Sequence, residues 1–558
     1  MLIKPSKRRW IAQCRHHLQR LLSALTLLVA LASCFERPPI IHAIDPQIGY
    51  LGDTLTITGE GFGDDKNESY IVIGGISPTA SSYYEWSNSR ISVRIPEFGD
   101  SGLVYVYRNN KKSNAALFSN RAAIPQILGE ESHGITPRIS ALEPETGAPG
   151  DLIVIRGRAF GTARGDSGVF FAWSAEASPA APEEFKGPSS IEVCEHDLGY
   201  EFWSDREIHV RVPSGAVSGN VEVRTSRGRS MEYFTVARRP GTQLYRDKLR
   251  YAISYSVDIQ VWEASSENTL YLSVPLPAAS ASQRGVELLY RNMQPFMENY
   301  RGISLFQFKN LQSNTNAQVS LSFLVEVYGI ETVIQPNQIQ QGGTNPLVTA
   351  LTQPSLYVLS DLEQIRRQGA AIIGRETNPY VKARLIYEWM LREIAIEREG
   401  AKGGALEALE EKRADPLMAS LLFCSLGRAV GIPCIPIAGV LADRYTARPH
   451  VWVEFWVNGF GWVPVDLALG SGMDLDFIFT REDRVSVDPK TYYFGNLDNQ
   501  HITFSRGLAV LSPMEPLGRI MVQDRNYALQ TIWEEAARGL ESYSSFWSDI
   551  AITGIYVE

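Results

Sequence analysis

Cysteine is scarce in this chain of 558 residues: Cys14, Cys34, Cys194, Cys424 and Cys434 are all there are. That excludes a disulfide scaffold, and Cys424–Cys434 is the only local candidate for a bridge. No Cys/His group has the spacing of a zinc site, and the eight histidines are scattered. No apolar run reaches the ~20 residues that span a bilayer. Positive charge is also short, with 53 Lys and Arg against 62 Asp and Glu. Nucleic acid and anionic surfaces are therefore disfavoured as partners. No metal and no cofactor is expected. The composition is otherwise that of globular protein, 44% hydrophobic and 21% charged, long enough for three to five domains.

The first 33 residues stand apart. Met1–Arg20 carries six Lys/Arg and no acid, and Leu21–Ser33 is an uncharged, largely apolar run. A basic start before a short apolar run reads as a secretory signal. The run ends in Leu31-Ala32-Ser33-Cys34, which resembles the lipobox of bacterial lipoproteins. The resemblance implies cleavage before Cys34, a lipid on its thiol, and export to a periplasmic or surface-facing position on a bacterial membrane. Without residues 1–33 the chain has 47 Lys and Arg against 62 acids, a net charge of −15. Lipid rather than charge would hold it to the membrane.

An internal repeat follows. Pro39, Pro46, Gly49, Gly52, Asp53, Gly59, Phe62 and Gly63 recur 98 residues later as Pro137, Pro144, Gly147, Gly150, Asp151, Gly157, Phe160 and Gly161. "NSRISVRIP" (Asn88–Pro96) recurs as "DREIHVRVP" (Asp205–Pro213) at an offset of 117, which places an insertion within Trp173–Glu201. "LTITG" and "IVIRG" alternate as half-buried strands do, and the Pro and Gly positions mark turns. The pair resembles the IPT/TIG immunoglobulin-like family over residues 37–120 and 137–237. The acidic loop Gly63–Ser69 lacks the spacing of a calcium-binding EF-hand and reads as a solvated loop.

Residues 240–345 alternate again and suggest a third β-domain. Helical spacing begins at "NPYVKARLIYEWMLREIAIE" (Asn378–Glu397), behind an Asn-Pro start. In Lys412–Val440, Asp415 is a natural N-cap and Pro416 a natural first helical residue. The helix should stop near Gly431 and Pro433, before the strand-like "IPIAGV". His450, Trp452, Glu454 and Trp456 then share one face of a strand, with a turn at Asn458–Gly461 and a return strand ending at Asp466. A turn of three or five residues puts His450 and Asp466 on the same face, where the carboxylate would orient the ring and stabilise the imidazolium; a two-residue turn puts them on opposite faces unless a bulge intervenes.

These segments resemble the transglutaminase-like family, a papain-type cysteine fold, over residues 350–510. Arg428, "GIP" (Gly431–Pro433), "HVWVEF" (His450–Phe455) and "GWVPVD" (Gly461–Asp466) carry the resemblance. "YYFGNLDNQHITFSRG" (Tyr492–Gly507) is similar to the tail of such domains in bacteria. In the family a nucleophilic cysteine opens the helix about seventeen residues before the proline of "GIP". Here that position is Pro416. A cysteine at a helix N-terminus has its pKa lowered by the dipole and a neighbouring imidazolium; proline offers no thiol. Cys424 lies roughly 12 Å further along the helix, rotated by roughly 80°, and reads as a buried thiol. Cys434 is equally distant. Ser420 sits one turn above Pro416, and Asp415 reads as a cap rather than a catalytic acid.

The expectation is thus a multidomain chain, N-terminal all-β immunoglobulin-like sandwiches followed by an α+β transglutaminase-like domain, with residues 511–558 as a C-terminal extension containing helical-looking sequence. Its transglutaminase-like domain keeps the dyad of His450 and Asp466 without the cysteine. Trp452, Trp456, Phe460 and Trp462 are core, or the walls of a groove for a peptide, protein or cell-wall ligand. Two rivals stand: an active transglutaminase or cysteine peptidase with a relocated nucleophile, and an adhesion protein acting through the sandwiches.

Overall fold

A computed structural model describes residues 38–557 apart from 80–81, 97–100, 110, 121–135, 166, 175–189, 195–198, 238–239, 266, 301, 340–350, 399–401, 479–487, 515–517, 524–525 and 538. The signal segment and Cys34 lie outside these residues. Among the described residues no helix is long and apolar enough to cross a membrane. The chain divides into two compact units, one of residues up to 124 and one of residues 125–558, with residues 79–81 assigned to the second.

The first unit is a β-sandwich. One sheet runs Ile40–Asp45, Thr54–Glu60, Arg90–Arg94, Tyr83–Trp86; the other runs Ile48–Gly49, Ala116–Asn120, Gly102–Arg108, Tyr70–Ile73. Alternate residues of these strands (Leu55, Ile57, Ile71, Ile73, Ile91, Val93, Val104, Val106) are fully buried between the sheets.

Residues 138–236 repeat this plan. Strands Arg138–Glu143, Leu152–Arg158, Glu207–Arg211 and Tyr200–Trp203 follow the same order, with the same one-residue bulge in the first strand. The repeated residues have one physical job in each copy. A Cβ on Gly59 or Gly157 would collide with the carbonyl of Ile40 or Arg138 and with the ring of Phe62 or Phe160. Asp53 and Asp151 each close a turn by accepting an N–H at 2.8 Å, from Tyr50 and Ala148. Trp86 and Trp203 donate to the carbonyls of Phe62 and Phe160 at 3.2 and 3.3 Å.

The third β-domain is built on two long strands, Gly241–Ala264 and Thr315–Ile334, paired antiparallel from Gly241 with Ile334 to Val261 with Thr315. One boundary is corrected here. Residues 511–558 are not an extension. Leu540–Trp547 and Ala551–Val557 pair with Gly241–Ala264, and Glu534–Ala536 pairs with Thr269–Pro275. The helical-looking segment forms strand at Glu534–Ala536 and from Leu540 onward, and Glu534 and Glu535 are buried and partnered. Glu534 accepts from Trp547 Nε1 at 2.7 Å and from Ser545, and Glu535 accepts from the Met514 N–H at 2.7 Å. Those contacts override the local helix propensity.

Between these halves of the third domain sits an α+β domain. Helices Glu363–Ile373, Pro379–Glu393, Ala405–Glu411 and Pro416–Ala429 accompany a sheet ordered Gly461–Val465, Ala447–Val457, Cys434–Ala442, His501–Arg506. Asn378 and Asp415 cap their helices as the sequence suggests; the Asp415 carboxylate accepts from Met418 N at 2.7 Å. Helix Pro416–Ala429 is buried along Met418–Gly427. It packs on Val453, Phe455 and Val457, one face of the central strand. The other face, Trp452 and Trp456, together with Trp462, joins the core of the second sandwich.

Candidate functional site

The hairpin turn is Asn458-Gly459-Phe460, between the paired residues Val457 and Gly461. Its three residues are an odd count, so His450 and Asp466 fall on one face. Asp466 also caps the short helix Leu467–Gly470, accepting from Leu469 N at 2.9 Å through Oδ1. That leaves Oδ2 for His450, whose Nε2 lies 2.6 Å away. Both side chains are almost completely buried, at 1% and 0% exposure.

A second histidine, missed in the sequence, completes the group. His501, on the edge strand His501–Arg506 at the far side of the sheet, places Nε2 3.0 Å from the same Asp466 Oδ2 and Nδ1 2.9 Å from Asp498 Oδ1. Tyr493 OH donates to the other Asp498 oxygen at 3.0 Å. Burial disfavours the His501 charge, but Asp498 and Asp466 outweigh it and push its pKa up to about 10. Burial alone would raise the Asp466 carboxyl; His450 and His501 instead hold it well below the usual carboxylate range. The only hint in the sequence was the spacing Asp498…His501.

The ligand-type atoms of His450, Asp466 and His501 lie within 4.8 Å of one another, two imidazoles and a carboxylate of the kind zinc accepts. Here the imidazole nitrogens facing Asp466 are engaged with it in hydrogen bonds. The outer nitrogen of His450, Nδ1, is buried and has no hydrogen-bond partner.

Neither Cys424 nor Cys434 is poised for chemistry. Position 416 is proline at the helix N-terminus. Cys424 is fully buried, and burial pushes its thiol up to about 12 against the pull of Arg428. Cys434 is also fully buried; burial and then Cys424 push it well above the usual range, and its Sγ contacts the Ile432 carbonyl at 3.3 Å. The two remain free thiols. Ser420 is buried and spends its hydroxyl on the Val451 carbonyl at 3.1 Å. Trp452, Trp456, Phe460 and Trp462 are between 0% and 5% exposed. They are core, and the open aromatic groove is not formed.

Comparison with known proteins agrees with this architecture. Residues 366–467 match the transglutaminase-like superfamily and residues 39–120 match the IPT/TIG domain, so the chain contains both. The first match takes in Pro416, His450 and Asp466 and ends before His501. An uncharacterised protein of Haemophilus influenzae is 29% identical over 164 residues, 24% of this chain and 44% of that protein. A cyclomaltodextrin glucanotransferase of Paenibacillus macerans is 31% identical over 85 residues, 15% of this chain and 12% of the enzyme. The chain thus spans less than half the length of these curated relatives. A solved structure from Cytophaga hutchinsonii with a provisional cysteine-protease name covers 57% of this chain and 92% of its own, at 18% identity and a TM-score of 0.34.

Proposed function

We propose that this chain is an exported, lipid-anchored bacterial protein whose transglutaminase-like domain performs no cysteine chemistry. The domain serves as a binding or structural module. One observation carries the reading: a buried His450–Asp466 pair remains while the helix start holds Pro416 and both nearby thiols are buried with raised pKa values. A nucleophilic cysteine needs the opposite, an accessible thiol with a lowered pKa. Retention of the pair has a structural explanation. Asp466 is held by His450 and His501 in a buried hydrogen-bonded network, and a buried charge that loses its partner is costly.

Lipid attachment at Cys34 would tether the chain, and a peptide, protein or cell-wall component is the class of ligand suggested by the family's handling of amide bonds. Activity and binding tests separate this reading from an active enzyme. The full chain is offered glutamine- and lysine-bearing peptides, and turnover is compared with His450→Ala. The reading expects no turnover above the variant's background. Turnover abolished by His450→Ala would overturn it. Mass spectrometry of the mature N-terminus tests the anchor, which requires a lipidated Cys34.

A further inference from the structure

Away from the histidine pair, a cavity of about 580 Å³ opens where the second sandwich, the third β-domain and the 447–465 hairpin meet. Its size is that of small-molecule sites. Much of its wall is apolar, including Leu276, Val286, Phe306, Phe323 and Ile330. Most of the charged groups in the wall already have opposite charges beside them. Arg291 pairs with Glu298 at 2.6 Å, Arg506 with Glu454 at 2.7 Å, and Arg224 with Glu222 at 2.7 Å.

Arg284 is different. Its guanidinium lies over the Trp173 ring at 4.5 Å, and its Nε and Nη1 are buried with no hydrogen-bond partner among the described residues. The carboxylate that feels it, Glu326, is already held by Arg250 at 3.0 Å, by Lys248 at 3.6 Å and by Tyr328 OH at 3.0 Å. Tyr245 and Tyr328, the other groups beside Arg284, are phenols. Burial lowers the Arg284 pKa to about 10, which still leaves it charged at neutral pH. A further buried donor without a partner, Trp462 Nε1, belongs to the same wall. Buried donors without acceptors are uncommon, and a guanidinium most of all.

We propose that this cavity binds a carboxylate carried on an apolar body, with Arg284 as its anchor. A carboxylate offers two acceptor oxygens that match the guanidinium fork, and its single charge matches that of Arg284. A phosphate dianion would bring a second negative charge that the Arg284 guanidinium does not match. The apolar residues accommodate the body. The site is separate from position 416 and does not depend on whether that domain is active.

Two sources share this chemistry, an acyl chain and an apolar peptide C-terminus. Calorimetry on the full chain distinguishes them with decanoate against 1-decanol and N-acetyl-Leu-Phe against its amide. The expected result is saturable binding of at least one acid, at least about tenfold tighter than its neutral partner (a tenfold ratio being the smallest that reads as one lost charge-assisted contact). Arg284→Gln should remove that preference, and Arg284→Lys should keep part of it. The acid that binds identifies the source. No binding of either acid at about 1 mM, equal binding of acid and neutral partner, or an acid preference that survives in Arg284→Gln would each overturn the proposal. Should Arg284→Gln fail to fold, the acid-against-neutral comparison on the unaltered chain decides.

Discussion

His501 Nε2 lies 3.0 Å from Asp466 Oδ2, the same oxygen that His450 Nε2 meets at 2.6 Å. One carboxylate oxygen thus serves two imidazoles, and a second carboxylate, Asp498, holds the far side of His501. The imidazolium of His501 is what makes two buried carboxylates tolerable in one place.

The first prediction concerns pH. His501 has its pKa raised from an ordinary 6.5 to about 10 in the fold. Its charge therefore contributes stability that is fully present below 6.5 and is lost as pH rises toward about 10. Asp466, held low, contributes stability above its ordinary 3.8 that is lost in acid below that value. Thermal melts of the full chain should show a melting temperature that falls from pH 6.5 to 10. In His501→Gln that slope should flatten, with a loss of about 3–5 kcal/mol at pH 6 for breaking a buried pair. An unchanged slope in the variant would show that another group sets it.

Gly461 supports the seat of the second sandwich. It has φ of +114°, and a Cβ there would collide with Ser214 Oγ, which accepts from Trp462 N at 3.1 Å. Gly461→Ala should cost about 1–3 kcal/mol, read from the urea midpoint. Adding Ser214→Gly should recover only part, because it relieves the collision and not the φ strain. Full recovery would assign the whole cost to the collision.

The C-terminal strands are integral to the third domain. A chain ending at residue 510 would leave the edge of Gly241–Ala264 unpaired and remove Tyr527, Trp533, Leu540 and Ile550 from the core they share with Tyr251, Val257 and Val261, all fully buried in the intact chain. It should be recovered insoluble, or without the near-ultraviolet circular dichroism of the full chain. A soluble product with native circular dichroism would show that the tail is dispensable.

Position 416 can be given back a thiol. In Pro416→Cys the new side chain sits at the N-terminus of a fourteen-residue helix, where the dipole favours thiolate. Its alkylation should be rapid below pH 7 and should slow in the double variant with His450→Ala. Alkylation like that of an ordinary thiol, with a midpoint near ~8.5 and no response to His450→Ala, would place position 416 away from the histidine.

Much of this was legible in the sequence because the signals were local. The Gly59…Phe62 and Gly157…Phe160 pairs gave the sandwiches, since a ring packed over a glycine is a short-range relationship. Side-chain parity put His450 and Asp466 on one face for a turn of odd length, and the pairing of Val457 with Gly461 supplies that turn. His501 was not legible. It reaches Asp466 from the opposite edge of the sheet, 35 residues away in sequence, and a contact made across two intervening strands leaves no local pattern. The tail was misread because Glu534 and Glu535 look like helix formers, and their buried partners, Trp547 and the Met514 N–H, are tertiary. The aromatic stripe of the hairpin reads as core before groove, and the second sandwich packed on it shows core for Trp452 and Trp456.

The most direct test of the central claim is alkylation of the native full chain from pH 5 to 9, with labelling at Cys424 and Cys434 read by mass spectrometry. Both thiols are fully buried with raised pKa values. The account predicts no labelling at either across this range until the protein is denatured. Rapid labelling of Cys424 below pH 7 in the native chain, lost in His450→Ala, would show an activated thiolate and contradict it.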